Sequence, residues 1–338
     1  MTAHPGGAGA RLLAGHSTVD VRLGADDLYL ALCHDARVGL TAQPKWMPPV
    51  WFYDDRGSEL YEAITRLPEY YPFRTEEALL RQVAGEIAFM AGADVLVELG
   101  SGTSEKTRLL LHAMARSRTG VIGYVAFDVS EATLRAAASA VADEMNIGVH
   151  AVVGDFRTHL DAVPDVNRRR LVAFLGSTIG NFDPDQRRIF LADVADLLEP
   201  GDAFLVATDL VKPVDRLVAA YDDAAGVTAD FNRNLLHVLN RELRANFEPE
   251  RFEHVAVWNP GSSCVEMRLR AQEAMTVDVP ILDVGVRFAA GEEMRTEIST
   301  KFTPRRVRDE LAAAGLEVVS TWSDPAGDYL LTLARLAG

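Results

Sequence analysis

The chain has 338 residues, 48% hydrophobic and 25% charged, with a formal net charge of -15. That is the composition of an ordinary globular protein, long enough to bury about three quarters of its unfolded surface in one domain or two. The acidic balance, with no basic run longer than Arg168-Arg169-Arg170, excludes an evident nucleic-acid partner.

No apolar stretch approaches the ~20 residues needed to span a bilayer, so no membrane association is expected. Cys33 and Cys264 lie too far apart in sequence for a disulfide framework and suit a reducing cytoplasm. The eight histidines never fall at H-x-H or H-E-x-x-H spacing, and no metal site is expected. No obligate protein partner is evident.

In chain order, residues 1–20 are rich in Gly, Ala and Pro, lack the apolar core of a signal peptide, and read as a disordered tail. Residues 21–73 carry the clusters WFYDDRG and PEYYPF, which need a surface to pack on. From about residue 94, short apolar runs alternate with amphipathic segments. VLVELG reads as a strand and SEKTRLLLHAMARS as a helix. VIGYVAFDVS is a second strand, EATLRAAASAVADEM a helix, VHAVVGDF a third strand and LVAFLGSTIGNF a fourth. Asp183-Pro184 then caps a helix through RRIFLADVADLLE, and Pro200-Gly201 precedes a fifth strand, AFLVATDLV. Continuous apolar strands separated by helices imply a parallel sheet covered on both faces, a doubly wound α/β domain.

After Lys212-Pro213 the rhythm changes. Residues 214–247 read as helical and 252–300 as strands of an antiparallel sheet, and the remainder returns to a helix and paired strands. An inserted α+β domain over 211–300, partnered by 21–73, thus interrupts an α/β domain formed by 74–210 and 301–338.

VELGSGTSEKT, spanning residues 97–107, carries the chemistry. It nearly fits G-x-G-x-x-G and also G-x-x-x-x-G-K-[ST], and in both Glu105 stands where a glycine belongs. An acid there opposes a polyphosphate or pyrophosphate, which leaves a nucleotide hydrolase or a dinucleotide site as weaker readings. S-adenosylmethionine carries a sulfonium, an ammonium and one carboxylate, and removes the conflict. Gly100 and Gly102 let the backbone approach it, Glu98 receives the ammonium, and Lys106 meets the carboxylate. Asp128, ending the next strand, accepts the ribose hydroxyls. Asp155 accepts from the adenine amino group, and Phe156 packs on the ring.

The chain also resembles the L-histidine Nα-methyltransferases of ergothioneine biosynthesis. The resemblance begins at RVGLTAQPKWMPPVWFYDDRGSELYEAITRLPEYYP. It continues through VELGSGTSEKT, FLGSTIGNF, TDLVK, YDDAAGVTADFNRN and EMRTEISTKF to DPAGDYLLTLA. It implies a class I (Rossmann-like) methyltransferase domain with an inserted substrate-binding domain, and three methyl transfers to the α-nitrogen of histidine, giving hercynine. By position it implies cofactor contacts at Gly100, Lys106, Asp128, Asp155 and Phe156. Asn181 and Tyr221 fall where the family holds the carboxylate and amine end of histidine. Tyr53 and Tyr70 line the amine region, with Tyr53 orienting the reacting nitrogen, and Glu297 and Ser299 read the imidazole beside Met267. Two other readings are a methyltransferase of this fold acting on another amino acid or amine, and a non-catalytic cofactor-binding protein.

Overall fold

The computed structural model describes residues 14–117 and 119–338. The chain opens with β1 (Ser17–Val21), α1 (Ala25–Thr41), the short strand β2 (Lys45–Trp46), α2 (Asp55–Thr65) and α3 (Tyr71–Ala91). The expected alternation follows: β3 (Val95–Leu99), α4 (Thr107–Ala115), β4 (Gly123–Asp128), α5 (Glu131–Met145), β5 (Gly148–Val153), β6 (Arg170–Phe174), α6 (Pro184–Leu197) and β7 (Ala203–Asp209). Two helices come next, α7 (Val214–Ala219) and α8 (Val227–Leu243). Five strands follow: β8 (Phe252–Asn259), β9 (Cys264–Ala271), β10 (Met275–Val279), β11 (Val284–Phe288) and β12 (Glu293–Thr300). The chain closes with α9 (Pro304–Ala313), β13 (Leu316–Ser323) and β14 (Tyr329–Leu336).

Eight strands form one sheet in the order β1-β5-β4-β3-β6-β7-β14-β13. Only β14 runs against its neighbours, β7 and β13. The central strands are apolar along their length because both faces are covered. Leu96, Tyr124 and Ala126 pack with residues of α3, α4 and α5, while Val97, Val125 and Phe127 pack on the opposite face with residues of α6 and α9. This is the doubly wound α/β architecture anticipated from the strand pattern. Chain order reverses between β3 and β6, and in such sheets the crevice at the carboxyl ends beside that reversal is where ligands bind.

Outside this sheet, β2-β12-β9-β8 form a four-stranded sheet and β10-β11 a separate two-stranded ribbon. Their shared core includes Leu32 and Phe52 from the N-terminal segment, Phe231 and Leu235 from α8, and Leu269 and Met294 from the sheet. The early aromatic clusters therefore do pack against residues 211–300.

Several expectations need correction. Of the segment read as a disordered tail, residues 1–13 lie outside the described residues, but Ser17–Val21 is the edge strand β1, paired parallel to β5. Its β-branched residues suit a strand, and Val19 packs against the sheet core. The helix after the glycine turn starts only at Thr107, because Gly100, Gly102 and Ser104 have φ of 74°, 49° and 57°. LVAFLGSTIGNF leaves the sheet at Phe174; Gly176 and Ser177 are left-handed, and Thr178–Asn181 is a 3₁₀ turn. The helical stretch 214–247 is likewise broken between α7 and α8, with Gly226 at φ 76°.

Asp54 caps α2 by accepting the Gly57 N–H at 2.8 Å. A Cβ on Gly57 would stand 1.6 Å from the Phe52 carbonyl oxygen, so only glycine permits this approach of the turn that carries Tyr53. Gly57→Ala should push that turn off α2 at a cost of about 1–3 kcal/mol. Scanning calorimetry should show Tm lowered by a few degrees; an unchanged Tm would mean the turn yields freely.

Candidate active site

The carboxyl ends of β3, β4, β6 and β7 and one face of the smaller sheet enclose a cavity of about 970 Å³. At one end lies the glycine turn. The Gly100 N–H donates to Phe127 O at 2.7 Å, and the Gly102 N–H to Asp128 Oδ2 at 2.8 Å. Asp128 Oδ1 accepts the Ser130 N–H at 3.0 Å, which fixes the direction of a carboxylate that lines the cavity. Below the turn, Glu98 accepts from Thr107 Oγ1 and from the Tyr124 hydroxyl, both through Oε2.

Lys106 stands just before α4, its ammonium ion-paired with the fully buried Glu76 of α3. The other Glu76 oxygen accepts the Gly176 N–H at 2.8 Å. The countercharge that Lys106 needs is thus already supplied within the protein, by a residue the sequence reading does not single out. Asp155 is engaged as well: its carboxylate receives the Arg157 guanidinium at 2.6 Å, so an adenine amino group would share it. Phe156 packs edge-on to Phe174, 5.2 Å between centroids, with Cε1 3.6 Å from where a Gly100 Cβ would stand.

These features fit S-adenosylmethionine better than a phosphate ligand. The space in front of Gly102 is open to 4 Å, and the buried Ser101 hydroxyl has no hydrogen-bond partner among the described residues. A polyphosphate would meet Glu98 and Asp128 and a lysine whose charge is already paired.

At the other end, β12 presents Glu297 and Ser299, two residues apart and on one face. A bulge between Arg295 and Glu297 interrupts the pairing with β9 and sets Glu297 opposite the buried Met267. Asn181 comes from the 3₁₀ turn after β6 and donates to Glu297 Oε1 at 3.3 Å. The resemblance assigns these two residues to opposite ends of the substrate, yet here they touch. Gly180 makes this possible, since a Cβ there would lie 2.8 Å from Thr300 O.

Tyr53, Tyr70 and Tyr221 line the cavity, joined by two residues that sequence reasoning missed. Tyr61 lies edge-on to Tyr53 and Tyr70, at 5.6 and 6.4 Å between centroids, and Phe231 is 5.6 Å from Tyr53. Tyr70 in turn is edge-on to Tyr221 at 6.2 Å. Burial holds the Tyr70 phenol well above its ordinary range, with neighbouring Tyr61 adding to the effect, and Tyr53 is shifted in the same direction although more than a third of it is exposed. Both are neutral donors or acceptors near pH 7. Tyr53 is 38% exposed, and it lines the cavity.

A second missed group lies behind Ser299. Lys301 reaches Tyr221 Oη at 2.8 Å, Ser299 Oγ at 2.9 Å and Asp209 Oδ2 at 2.8 Å. Asp209 also pairs with Lys212 and accepts the Tyr71 hydroxyl at 2.7 Å. TDLVK and EISTKF contain these residues, but a strand-end acid and lysine carry no signal of mutual contact across so long a sequence separation.

Among the described residues, no cluster of three His, Cys, Asp or Glu could hold a metal, and no helix is long and apolar enough to cross a membrane. The family model described as "Histidine-specific methyltransferase, SAM-dependent" matches residues 32–336. A histidine N-alpha-methyltransferase of Mycolicibacterium smegmatis (strain ATCC 700084 / mc(2)155) is 57% identical over 92% of this chain and 97% of its own length. One from Mycobacterium tuberculosis (strain CDC 1551 / Oshkosh) is 53% identical over the same shares. Ergothioneine biosynthesis protein 1 of Neurospora crassa (strain ATCC 24698 / 74-OR23-1A / CBS 708.71 / DSM 1257 / FGSC 987) is 30% identical across 87% of this chain and 34% of that protein.

Two carboxylates of the cavity are raised to about 7, Glu98 and Glu297, in both cases chiefly because burial disfavours their charge. For Glu297, Lys301 and Asn181 pull the other way without prevailing. An acid raised on folding stabilises the folded state below its unfolded pKa, near 4.5, and loses that contribution as pH climbs to about 7. Glu297→Gln has no charge to bury. Its Tm relative to the wild type should therefore rise between pH 5 and pH 8 in thermal-shift measurements. A difference that stays constant over that range would show Glu297 to be freely solvated.

Proposed function

The chain belongs to the histidine-specific, S-adenosylmethionine-dependent methyltransferases, and from that premise we propose that it transfers three methyl groups in succession to the α-amino nitrogen of L-histidine. The product would be Nα,Nα,Nα-trimethylhistidine, hercynine, the first intermediate of ergothioneine biosynthesis; the name of the Neurospora relative supports that pathway. The observation that carries the reading is the pairing, in one cavity, of a phosphate-averse glycine turn with a wall of Glu297 and Ser299 beside a tyrosine cage.

In this reading residues 74–210 and 301–338 hold the cofactor, and 21–73 and 211–300, joined by Asn181, the amino acid. Gly100 and Gly102 admit it to the backbone, Asp128 accepts the ribose hydroxyls, and Glu98 and Lys106 face the methionine end. Asp155 and Phe156 take the adenine. When bound, S-adenosylmethionine supplies a sulfonium-activated methyl group, which a neutral amine attacks in line as the sulfur leaves with the bonding pair.

The protein has to align that amine and let it lose a proton. An α-amino group has a pKa near 8, so a minority is neutral at pH 7. The phenols of Tyr53 and Tyr70 are neutral near pH 7 and orient the nitrogen without acting as strong bases; water carries the proton away. Tyr53 is the residue assigned this catalytic orientation. Asn181 and Tyr221 hold the carboxylate and amine end, while Glu297, Ser299 and Met267 form the ring pocket. The faces of the tyrosine rings favour the growing cation by up to ~2 kcal/mol where water is excluded. The third transfer removes the last lone pair, and the sequence stops.

Mass spectrometry of histidine incubated with enzyme and S-adenosylmethionine should show one, two and then three added methyl groups, with fragmentation placing all of them on the α-nitrogen. Any methyl on the imidazole would refute the assignment. Glu297→Ala removes a charged acceptor worth about 1.5–3 kcal/mol, so kcat/KM for histidine should fall roughly 10–150-fold. The wider, less polar pocket should tolerate tryptophan better. If the histidine-to-tryptophan efficiency ratio is the same in wild type and variant, Glu297 does not read the ring.

A further inference from the structure

Lys301 has no part in the mechanism above, yet it is buried to 1% exposure directly behind the ring-reading wall. An ammonium has three donors, and three partners receive them here: Asp209 Oδ2, Tyr221 Oη and Ser299 Oγ. Burial disfavours the charge, but Asp209 and Tyr221 outweigh it and hold the lysine above its ordinary value. Burial also pushes the Tyr221 phenol up. Neither group becomes an acceptor by losing its proton.

The consequence falls on Ser299. Tyr221 donates its hydroxyl to Ser299 Oγ at 2.7 Å, and Lys301 donates to the same oxygen. A hydroxyl has two lone pairs, and both are taken. Ser299 keeps one capacity, its own proton, and can only donate. Two residues away on the same face, Glu297 can only accept when ionised. Above a pH of about 7, where Glu297 is ionised, the wall therefore presents one donor and one acceptor, which matches a neutral imidazole with one N–H and one bare nitrogen. An imidazolium, with two N–H groups and no acceptor, would set a donor against a donor.

We propose that Lys301 is a positioning residue: by filling the lone pairs of Ser299 together with Tyr221, it makes the serine a donor and selects a single neutral tautomer of the substrate ring. In that tautomer the N–H points to Glu297 and the bare nitrogen to Ser299. This rests on the histidine reading. Free histidine, with a ring pKa near 6.5, is about a quarter imidazolium at pH 7 and otherwise a mixture of tautomers, so the selection is observable.

The experiment uses ring-¹⁵N-labelled histidine bound to the full-length enzyme with S-adenosylhomocysteine, which blocks turnover. In the wild type the two ring nitrogens should give one protonated and one unprotonated resonance. In Lys301→Met they should collapse toward averaged values, because Ser299 can then turn to accept. KM for histidine should rise roughly tenfold, the loss of about one neutral hydrogen bond, with kcat within about threefold. Lys301→Met leaves Asp209 with Lys212 and Tyr71. Should it nevertheless fail to fold, Ser299→Ala removes the donor without touching the ion pair and should give the same averaging. An imidazolium in the wild-type complex, or a single neutral tautomer persisting in variants that bind histidine, overturns the proposal. A wild type that neither binds nor methylates histidine would instead overturn the histidine reading, and this inference with it.

Discussion

Asp209 ends β7 with 1% of its surface exposed, and its two carboxylate oxygens meet the ammonium groups of Lys212 and Lys301 and the hydroxyl of Tyr71. Lys212 lies where the chain leaves the eight-stranded sheet after β7, and Lys301 where it comes back after β12. The exit and return strands also touch through their backbones: Phe302 N–H donates to Asp209 O at 2.8 Å, and Val211 N–H to Phe302 O at 2.9 Å. One carboxylate therefore closes the loop of chain that carries Glu297 and Ser299. Such a buried pair adds little net stability, because desolvating the charges is expensive. Breaking it by removing one partner costs about 3–5 kcal/mol. Its value lies in geometry: Lys301 bridges Ser299 and Tyr221, and Asp209 receives the same ammonium.

The cofactor end is built on the same logic with different residues. Glu76, on a helix that precedes the sheet, neutralises Lys106 and at the same time receives the Gly176 N–H. The glycine turn after β3 and the turn after β6 are thereby tied to one buried acid. Lys106 is thus compensated before any ligand arrives, while Glu98 and Asp128 keep only hydroxyl and backbone N–H partners. That suits a cofactor of mixed charge and disfavours one carrying several phosphates.

What could be read from the sequence was whatever leaves a local trace. The strands β3 to β7 announce themselves by runs of apolar residues, the glycine turn by its spacing, and Asp128 and Asp155 by their place just after a strand. Glu297 and Ser299 share a face by simple alternation, although only the resemblance pointed to a ring. What could not be read is relational. Glu76, Lys301 and Asp209 look like ordinary helix and strand-end charges until the fold brings them within 3 Å of distant partners. Tyr61 and Phe231 have the spacing of core aromatics on α2 and α8, and only the packed structure puts them in the cage. The strand β1 was hidden by the Gly- and Ala-rich residues ahead of it, since composition averaged over a segment says nothing of the five residues that find an edge to pair with.

On the proposed reading, the tyrosine cage and the Glu297–Ser299 wall ask for opposite physics, and their separation in the fold follows. A nitrogen that gains positive charge is best placed among neutral aromatic faces in a dry cage. A neutral heteroaromatic ring is best read by fixed donors and acceptors, since a ring lacking them would leave buried polar groups unpaired. The cage is built from α2, α8 and the turn before α2, where large side chains can meet edge-on. The reading pair is built on β12, where strand geometry sets two side chains on one face. The bulge between Arg295 and Glu297 breaks the regular pairing there and places Glu297 opposite Met267, beside Asn181. Asn181 itself comes from the turn after β6, so the residue that touches Glu297 belongs to the part of the chain that forms the eight-stranded sheet. One hydrogen bond of 3.3 Å therefore joins the two parts of the cavity wall, and it is long enough to be exchanged for a bond to a ligand.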